Sequence, residues 1–399
     1  MKEISWKDNL RIAWLGSFLT GACISLVVPF MPIFVEQLGV EPSQVTFYSG
    51  LAISVSAISA ACVSPLWGIL ADRYGRKPMM IRAGFAMTIT MGGLAFVPNV
   101  YWLLALRLLN GVFTGFVPNA TALIASQVPK DKSGYALGTL SSGVVAGTLT
   151  GPFVGGMIAE VFGIRNVFLM VGGFLFLAAI LTIFFIKEDF QPVPKEKALP
   201  TKELFTSVKY PYLLFNLFAT SFVIQVAAQS IGPILALYIR DLGQNENLLF
   251  VSGLIVSSMG LSSMMSSGVM GRLGDKVGNH RLLIVAQAYS ALIYLLCANA
   301  STPLELGIYR FLFGLGTGAL VPGINALLSR MTPKAGISRV FAFNQVFFYL
   351  GGVIGPLAGS VVAEQFGYHS VFYATAACVA LSCLFNLIQF RTLLKVKEI

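Results

Sequence analysis

The segment Gly68-Ile-Leu-Ala-Asp72-Arg73-Tyr-Gly75-Arg76-Lys77 sets one acid among three bases and two glycines within ten residues. That composition suits an ion-pair contact. Arg76 can pair with Asp72, Gly75 permits the turn between them, and Gly68 lets its helix approach a neighbour closely. A second copy keeps Gly271, Asp275, Lys276 and Gly278 but has Asn279 and His280 where the basic pair should be, so its contact should be weaker.

Arg107-Leu-Leu-Asn-Gly111-Val-Phe-Thr-Gly115 places a base inside an apolar run. An Arg there is costly to bury and usually marks function. The guanidinium stays protonated, so its role would be to tune a nearby carboxylate or water chain; the alternative is that it snorkels to the surface. Gly138, Gly147, Gly151-Pro152 and Gly155-Gly156 follow in the next run. Glycines four apart give a groove for helix contact, and Pro152 removes one helical hydrogen bond. A bent, smooth-faced helix of this kind could rock against a partner in the other half of the chain. Pro29 and Pro32 precede Glu36 in the first run and point to a kinked, gating helix.

No Asp or Glu lies in the middle of an apolar run. Glu36, Glu160, Glu305 and Glu364 sit near outer ends, and Glu36 is the proton-coupling candidate beside Arg107. Asn119, Gln225, Gln229, Asn325 and Asn344 are candidates for substrate contact; Gln225 and Gln229, four apart, share a helix face. Hydrogen bonding between helices is an equal reading for these amides. His280 and His369 stand alone and read as surface or capping residues. Cys23, Cys62, Cys297, Cys378 and Cys383 lie in apolar stretches without a CxxC or Cys/His cluster, and read as small buried hydrophobes with no metal site. Gly314-Leu-Gly316-Thr-Gly318 has no preceding strand, so it is not a nucleotide fingerprint.

These residues are carried by an apolar chain. Of 399 residues, 56% are hydrophobic and 11% charged, and mean hydropathy is +0.78. Soluble domains carry about 25% charged residues. The composition excludes a soluble enzyme and predicts an integral membrane protein. A spanning helix needs about 20 apolar residues, and twelve runs qualify: Leu10–Val35, Val45–Ala71, Met79–Val97, Val100–Gln127, Gly134–Ile158, Val167–Ile186, Pro211–Ile239, Leu248–Met270, Leu282–Ser301, Leu304–Ser329, Ser338–Ala363 and Tyr368–Phe390. The first is too long for a signal-peptide core and reads as an uncleaved helix. The alternation of a transmembrane barrel is absent.

Residues 187–209 form the single long polar connection, a linker between an N-terminal half, 1–186, and a C-terminal half, 210–399. With both termini in the cytoplasm, 23 of the 27 Lys and Arg residues fall on the inner side and two, Arg165 and Arg240, on the outer, Arg107 and Arg310 being inside spans. This bias predicts inside termini and gives the net charge of +10 to the membrane border rather than to nucleic acid. A shift of 203 or 204 residues lays Gly68, Asp72 and Gly75 on Gly271, Asp275 and Gly278, Arg107, Gly111 and Gly115 on Arg310, Gly314 and Gly318, and Gly151, Pro152 and Gly155 on Gly355, Pro356 and Gly359. The chain is a parallel repeat of two six-helix halves, a layout of secondary transporters with a midplane site where the halves meet.

The Gly68–Lys77 segment resembles the signature of the major facilitator superfamily at every position. The Arg107 segment is similar to the fourth-helix motif of that family, whose Arg is linked to proton transfer. The Gly138–Gly156 run matches the antiporter motif of helix 5, and the Pro29/Pro32 pair is similar to one in the drug exporters. Over nearly the whole chain the resemblance is to the twelve-helix drug:proton antiporters. It implies that Asp72 faces the start of helix 11 as a latch on the inner side. It also implies efflux of amphiphilic, often cationic drugs and dyes, by a chain acting as a monomer in the cell membrane. No cofactor or ATPase subunit is expected, the energy coming from a proton gradient. The alternative is an exporter or facilitator of one small metabolite such as a sugar, which the missing mid-span acid would suit. A membrane-embedded enzyme would need a polar catalytic cluster, and none is visible.

Overall fold

In lipid every backbone N–H and C=O must be bonded inside the protein, and a helix does this with its own atoms. The computed structural model is all helical over the residues it describes, 5–129, 132–189, 211–332 and 337–394. Twelve helical segments are long and apolar enough to cross a membrane. In chain order they are built from α1a (Trp6–Val27) and α1b (Met31–Gln37), α2 (Val45–Tyr74), α3 (Arg76–Gly93), α4a (Val100–Phe113) and α4b (Phe116–Gln127), α5 (Ser133–Phe162), α6 (Ile164–Phe185), α7a (Pro211–Ser230) and α7b (Leu235–Asp241), α8 (Leu248–Val277), α9 (Asn279–Ala298), α10 (Pro303–Met331), α11 (Ile337–Phe366) and α12 (Tyr368–Leu394). The twelve apolar runs of the sequence each find their helix. The linker from residue 190 onward and the side chains of Asp72 and Asp275 lie outside the described residues.

Three runs that the sequence presents as continuous are interrupted. The first tightens into a 3-10 turn at Val28–Phe30, where Pro29 and Pro32 remove two helical donors. The seventh breaks between α7a and α7b, at Gly232-Pro233. Pro233 lies 204 residues after Pro29, so the repeat extends to this break. The fourth breaks at Thr114-Gly115, while its counterpart α10 runs unbroken.

The chain forms two compact units, Met1–Lys195 with Asn245–Ser257, and Glu196–Gln244 with Ser258–Ile399. The opening turns of α8 thus group with the first six helices. Within the first unit α1a packs along α5, α3 along α6 and α2 along α4a. Within the second, α7a packs along α11 and α9 along α10 and α12. The pairings α1–α5 and α3–α6 recur as α7–α11 and α9–α12, which is the sequence repeat expressed as packing.

Apolar burial supplies no force between helices in lipid, so close approach and polar contacts hold them. In the second unit Asn216 donates to Asn386 at 2.7 Å, Asn386 donates to Thr220 and to Gln287, both at 3.0 Å, and Gln287 donates to Ser382 at 2.9 Å. This chain of amides ties α7a, α9 and α12. In the first unit Asn9 donates to Gln127 and to the Lys187 carbonyl, both at 2.7 Å, joining the same ends of α1a, α4b and α6.

Candidate functional site

The turn between α2 and α3 depends on Gly75, whose φ of +97° is open to glycine and strained for other residues. It releases α3 with its first amides unpaired by helix geometry. Glu188, just past α6, supplies the acceptors. Its Oε1 takes the Arg76 amide at 2.8 Å and its Oε2 the Lys77 amide at 2.7 Å. The Lys77 ammonium reaches the Ile183 carbonyl at 2.9 Å. Arg73 lies over the Tyr74 ring at 5.4 Å. Among the described residues, a Cβ added to Gly68 would meet nothing within 4 Å. The Asp72 partner of the expected latch is outside the described residues.

Arg107 is buried in the first unit. Its Nε donates to the Ala52 carbonyl of α2 at 3.1 Å, and Nη1 lies 3.8 Å from the Met91 sulfur of α3. The charge is held by α2 and α3 and does not snorkel outward. Ser56 and Ser59 of α2 donate to the Arg107 and Leu108 carbonyls at 2.5 and 2.9 Å, and Gly111 lets α2 come close enough for them. The counterpart Arg310 is also buried; its Nε and Nη1 have no partner among the described residues.

Six residues after Arg107 the helix stops, at Phe113. Thr114 is extended and Gly115 has φ +134°. Pro118 lacks the amide that would bond the Thr114 carbonyl in a continuous helix. Three side-chain contacts cover the freed carbonyls: Trp67 Nε1 donates to Val112 at 2.6 Å, and Arg82 Nη2 to Phe113 at 3.3 Å and Thr114 at 3.2 Å. Asn119 Nδ2 adds a second donor at 2.8 Å to the Gly115 carbonyl, which already accepts the Asn119 amide at 3.3 Å. The Arg82 guanidinium lies 3.3 Å from the centre of the Trp67 ring. Arg82 stands six residues into α3. Asn119, expected at substrate, is buried and spends its amide on this break.

In α5 the glycines divide between two neighbours. Cβ atoms added at Gly147, Gly151 and Gly155 would collide with Phe18, Ala22 and Leu26 of α1a. Gly156 instead faces the start of α8, where an added Cβ would lie 2.6 Å from the Leu249 carbonyl oxygen. The Phe153 and Phe250 rings meet beside it, tilted by 52° with centres 5.9 Å apart, and Glu160 accepts from the Leu249 amide at 3.2 Å. Pro152 lies inside the unbroken α5. Gly138 meets nothing within 4 Å. Gly147, Gly151 and Gly155 are thus turned to α1a.

Pro29 and Pro32 are buried at the 3-10 turn, and Glu36 is half-buried near the end of α1b. In the second unit a cavity of about 90 Å³ is lined by Ser221, Asn325, Asn344, Gln345 and Phe348 among others, on α7a, α10 and α11. Ser221 donates to Asn344 Oδ1 at 2.7 Å. Two of the expected substrate contacts, Asn325 and Asn344, thus meet at one cavity. Gln225 and Gln229 do share a face, but their Cβ atoms pack against Gly351 and Gly355 of α11, and they do not line it.

The Major Facilitator Superfamily profile matches residues 13–252 and 217–397. The chain belongs to this superfamily. Among relatives in the superfamily it is 85% identical over 399 residues to the multi-drug resistance efflux pump PmrA of Streptococcus pneumoniae serotype 4 (strain ATCC BAA-334 / TIGR4), covering 100% of both chains. It is 51% identical to the PmrA homolog of Lactococcus lactis subsp. lactis (strain IL1403), covering 100% of this chain and 98% of that one. A superfamily fold is also seen in the crystal structure of a bacterial homolog of the human lysosomal transporter Spinster, with TM-score 0.83, 14% identity and 99% of both chains covered.

Within this superfamily chain, sequence reasoning missed Glu188, Arg82 and Trp67. Glu188 was read as linker, and only its distance of 112 residues from Arg76 hid the cap. Pro118, four residues past Thr114, was a local signal of the fourth-helix break. His280 is buried against Phe390 at 5.8 Å rather than at the surface, while His369 bonds the Ala298 carbonyl at 2.6 Å. Cys62 and Cys378 are exposed, against the expectation of burial.

Proposed function

We propose that this chain is a multidrug efflux transporter of the Major Facilitator Superfamily, exporting amphiphilic, often cationic drugs and dyes in exchange for protons by alternating access. The observation that carries the reading is full-length identity of 85% to a multi-drug resistance efflux pump. The site adds chemical support. The amide-lined cavity over Phe348 joins polar contacts to an aromatic wall, the mix by which pockets orient largely apolar ligands. At about 90 Å³ it takes one ring or polar group of a larger molecule. The two six-helix halves, 1–186 and 210–399 with the linker 187–209, are the bodies that would alternate. Arg107 and Glu36 are the proton-coupling pair of choice. Asp72, Arg76 and their neighbours form the inner latch, and the α5 glycines let α1a and the start of α8 slide on α5. In this reading the chain acts as a monomer in the plasma membrane, and the Lys and Arg bias supports cytoplasmic termini.

The test is expression in a bacterium deprived of its own exporters. The reading expects tolerance to several unrelated amphiphilic cations to rise together, dye accumulation to fall, and a protonophore to reverse both. Tolerance unchanged for every cation, with the protein present in the membrane, would overturn it.

A further inference from the structure

Seven glycines among the described residues have positive φ. Six form three pairs at the repeat offset: Gly39 with Gly243, Gly75 with Gly278, and Gly163 with Gly367. Gly115 is unpaired, because its counterpart Gly318 lies within the continuous α10. The helix break at Gly115 is therefore a feature that the first half has and the second lacks, although both carry the same Arg, Gly and Gly spacing.

The difference follows the donors. Among the described residues, Trp67, Arg82 and Asn119 supply the side-chain contacts to the carbonyls of residues 112–115. At the same offset the second half has Met270, Val285 and Pro322, none of which has a side-chain N–H. A broken helix within a span is tolerated only where its freed backbone groups find new partners. The second half has no such donors at these three positions, and α10 is whole.

We propose that Arg82 is a positioning residue that holds helix 4 in two segments, and through them sets Arg107 on α4a relative to Asn119 on α4b. Of the three donors Arg82 bonds the last two carbonyls before Gly115, those of Phe113 and Thr114. Trp67 fixes the guanidinium by lying under it and by its own bond to Val112. A planar guanidinium suits this double task, since it can stack on an indole and donate in its plane at once. A lysine keeps the charge and one flexible donor. A valine, the residue of the second half, keeps neither.

The experiment uses the full chain with the accessible cysteines Cys62, Cys378 and Cys383 replaced by serine. Nitroxides on Tyr101→Cys of α4a and Thr121→Cys of α4b, both exposed positions, report the distance across the break. An unbroken helix would set these backbone positions about 30 Å apart. Arg82→Val is expected to shift or broaden the distance distribution and to lower the maximal export rate by about tenfold, or 1.4 kcal/mol, with KM kept within about threefold. Arg82→Lys is expected to recover part of both. Should Arg82→Val fail to reach the membrane, Arg82→Met, which keeps a long side chain but has no N–H, is read by the same criteria. An unchanged distribution overturns the proposal whatever happens to transport, and so does a changed distribution with wild-type export. The export arm rests on the proposed efflux reading. The distance arm does not, so a wild-type chain that exports no dye would count against efflux and leave the distances to decide the role of Arg82.

Discussion

Glu188 closes the first turn of α3, its two carboxylate oxygens accepting the Arg76 and Lys77 amides at 2.8 and 2.7 Å. A carboxylate at a helix N-terminus meets both unpaired amides and the positive end of the dipole. The contact binds the basic turn to the end of α6 and orders it. Bonds to a charged group contribute about 1.5–3 kcal/mol each. Glu188→Ala should lower unfolding stability in detergent by about 2 kcal/mol, and Glu188→Gln by less. Equal melting of all three proteins would show that the cap adds nothing.

Arg107 should be intolerant of replacement. Its Nε bond to the Ala52 carbonyl joins α4a to α2 inside the span, and lysine cannot reproduce the in-plane donors. Arg107→Lys and Arg107→Ala are each expected to lower dye export by about tenfold or more, as loss of a bond to a buried charge implies, at unchanged protein level. Export by Arg107→Lys at the wild-type rate would remove Arg107 from the coupling machinery.

The helix 5 motif makes a divided prediction. Gly147 is walled by the backbone of α1a, whereas Gly138 faces open space among the described residues. Gly147→Val should destabilise by about 1–3 kcal/mol through overpacking, or prevent folding. Gly138→Ala should be neutral or stabilising, since Ala exceeds Gly in helix propensity by about 1 kcal/mol. Thermal melting of the two proteins side by side checks this, and the reverse order would contradict the packing.

How much of this could be read from residues alone depends on the range of the interaction. The twelve helices were legible because spanning lipid demands about 20 apolar residues in sequence, and the repeat was legible because Gly75 and Gly278 must both turn with positive φ. The Arg107 and helix 5 motifs were visible as spacing. Their partners were not: nothing near Gly147 in sequence names Phe18, and nothing near Arg76 names Glu188. Arg82 was hidden by being counted with the inner basic residues, although it lies six residues into α3. Asn344 and Asn325 were named as isolated amides, and only folding brought them to one cavity.

That cavity gives the specificity prediction. Ser221 donates to Asn344 at 2.7 Å beside Phe348. Asn344→Ala removes the acceptor and widens the space. One neutral hydrogen bond is worth about 1 kcal/mol, or about fivefold in affinity. Inhibition constants for a panel of dyes should shift by about that factor and unequally across the panel, while Gln229→Ala, which lies off the cavity, shifts none. A uniform effect of both replacements would remove this cavity from the substrate path.

The proposed function requires that a proton gradient drive drugs outward through this chain. The direct measurement is uptake of a fluorescent cationic dye into inside-out vesicles containing the protein, under an imposed gradient with an acid interior that is then collapsed with nigericin. Glu36→Gln and Asp72→Asn run alongside. The account predicts uptake that requires the gradient, stops with nigericin, and falls in both variants. Dye uptake that persists after the gradient is collapsed, or none under any gradient, would contradict it.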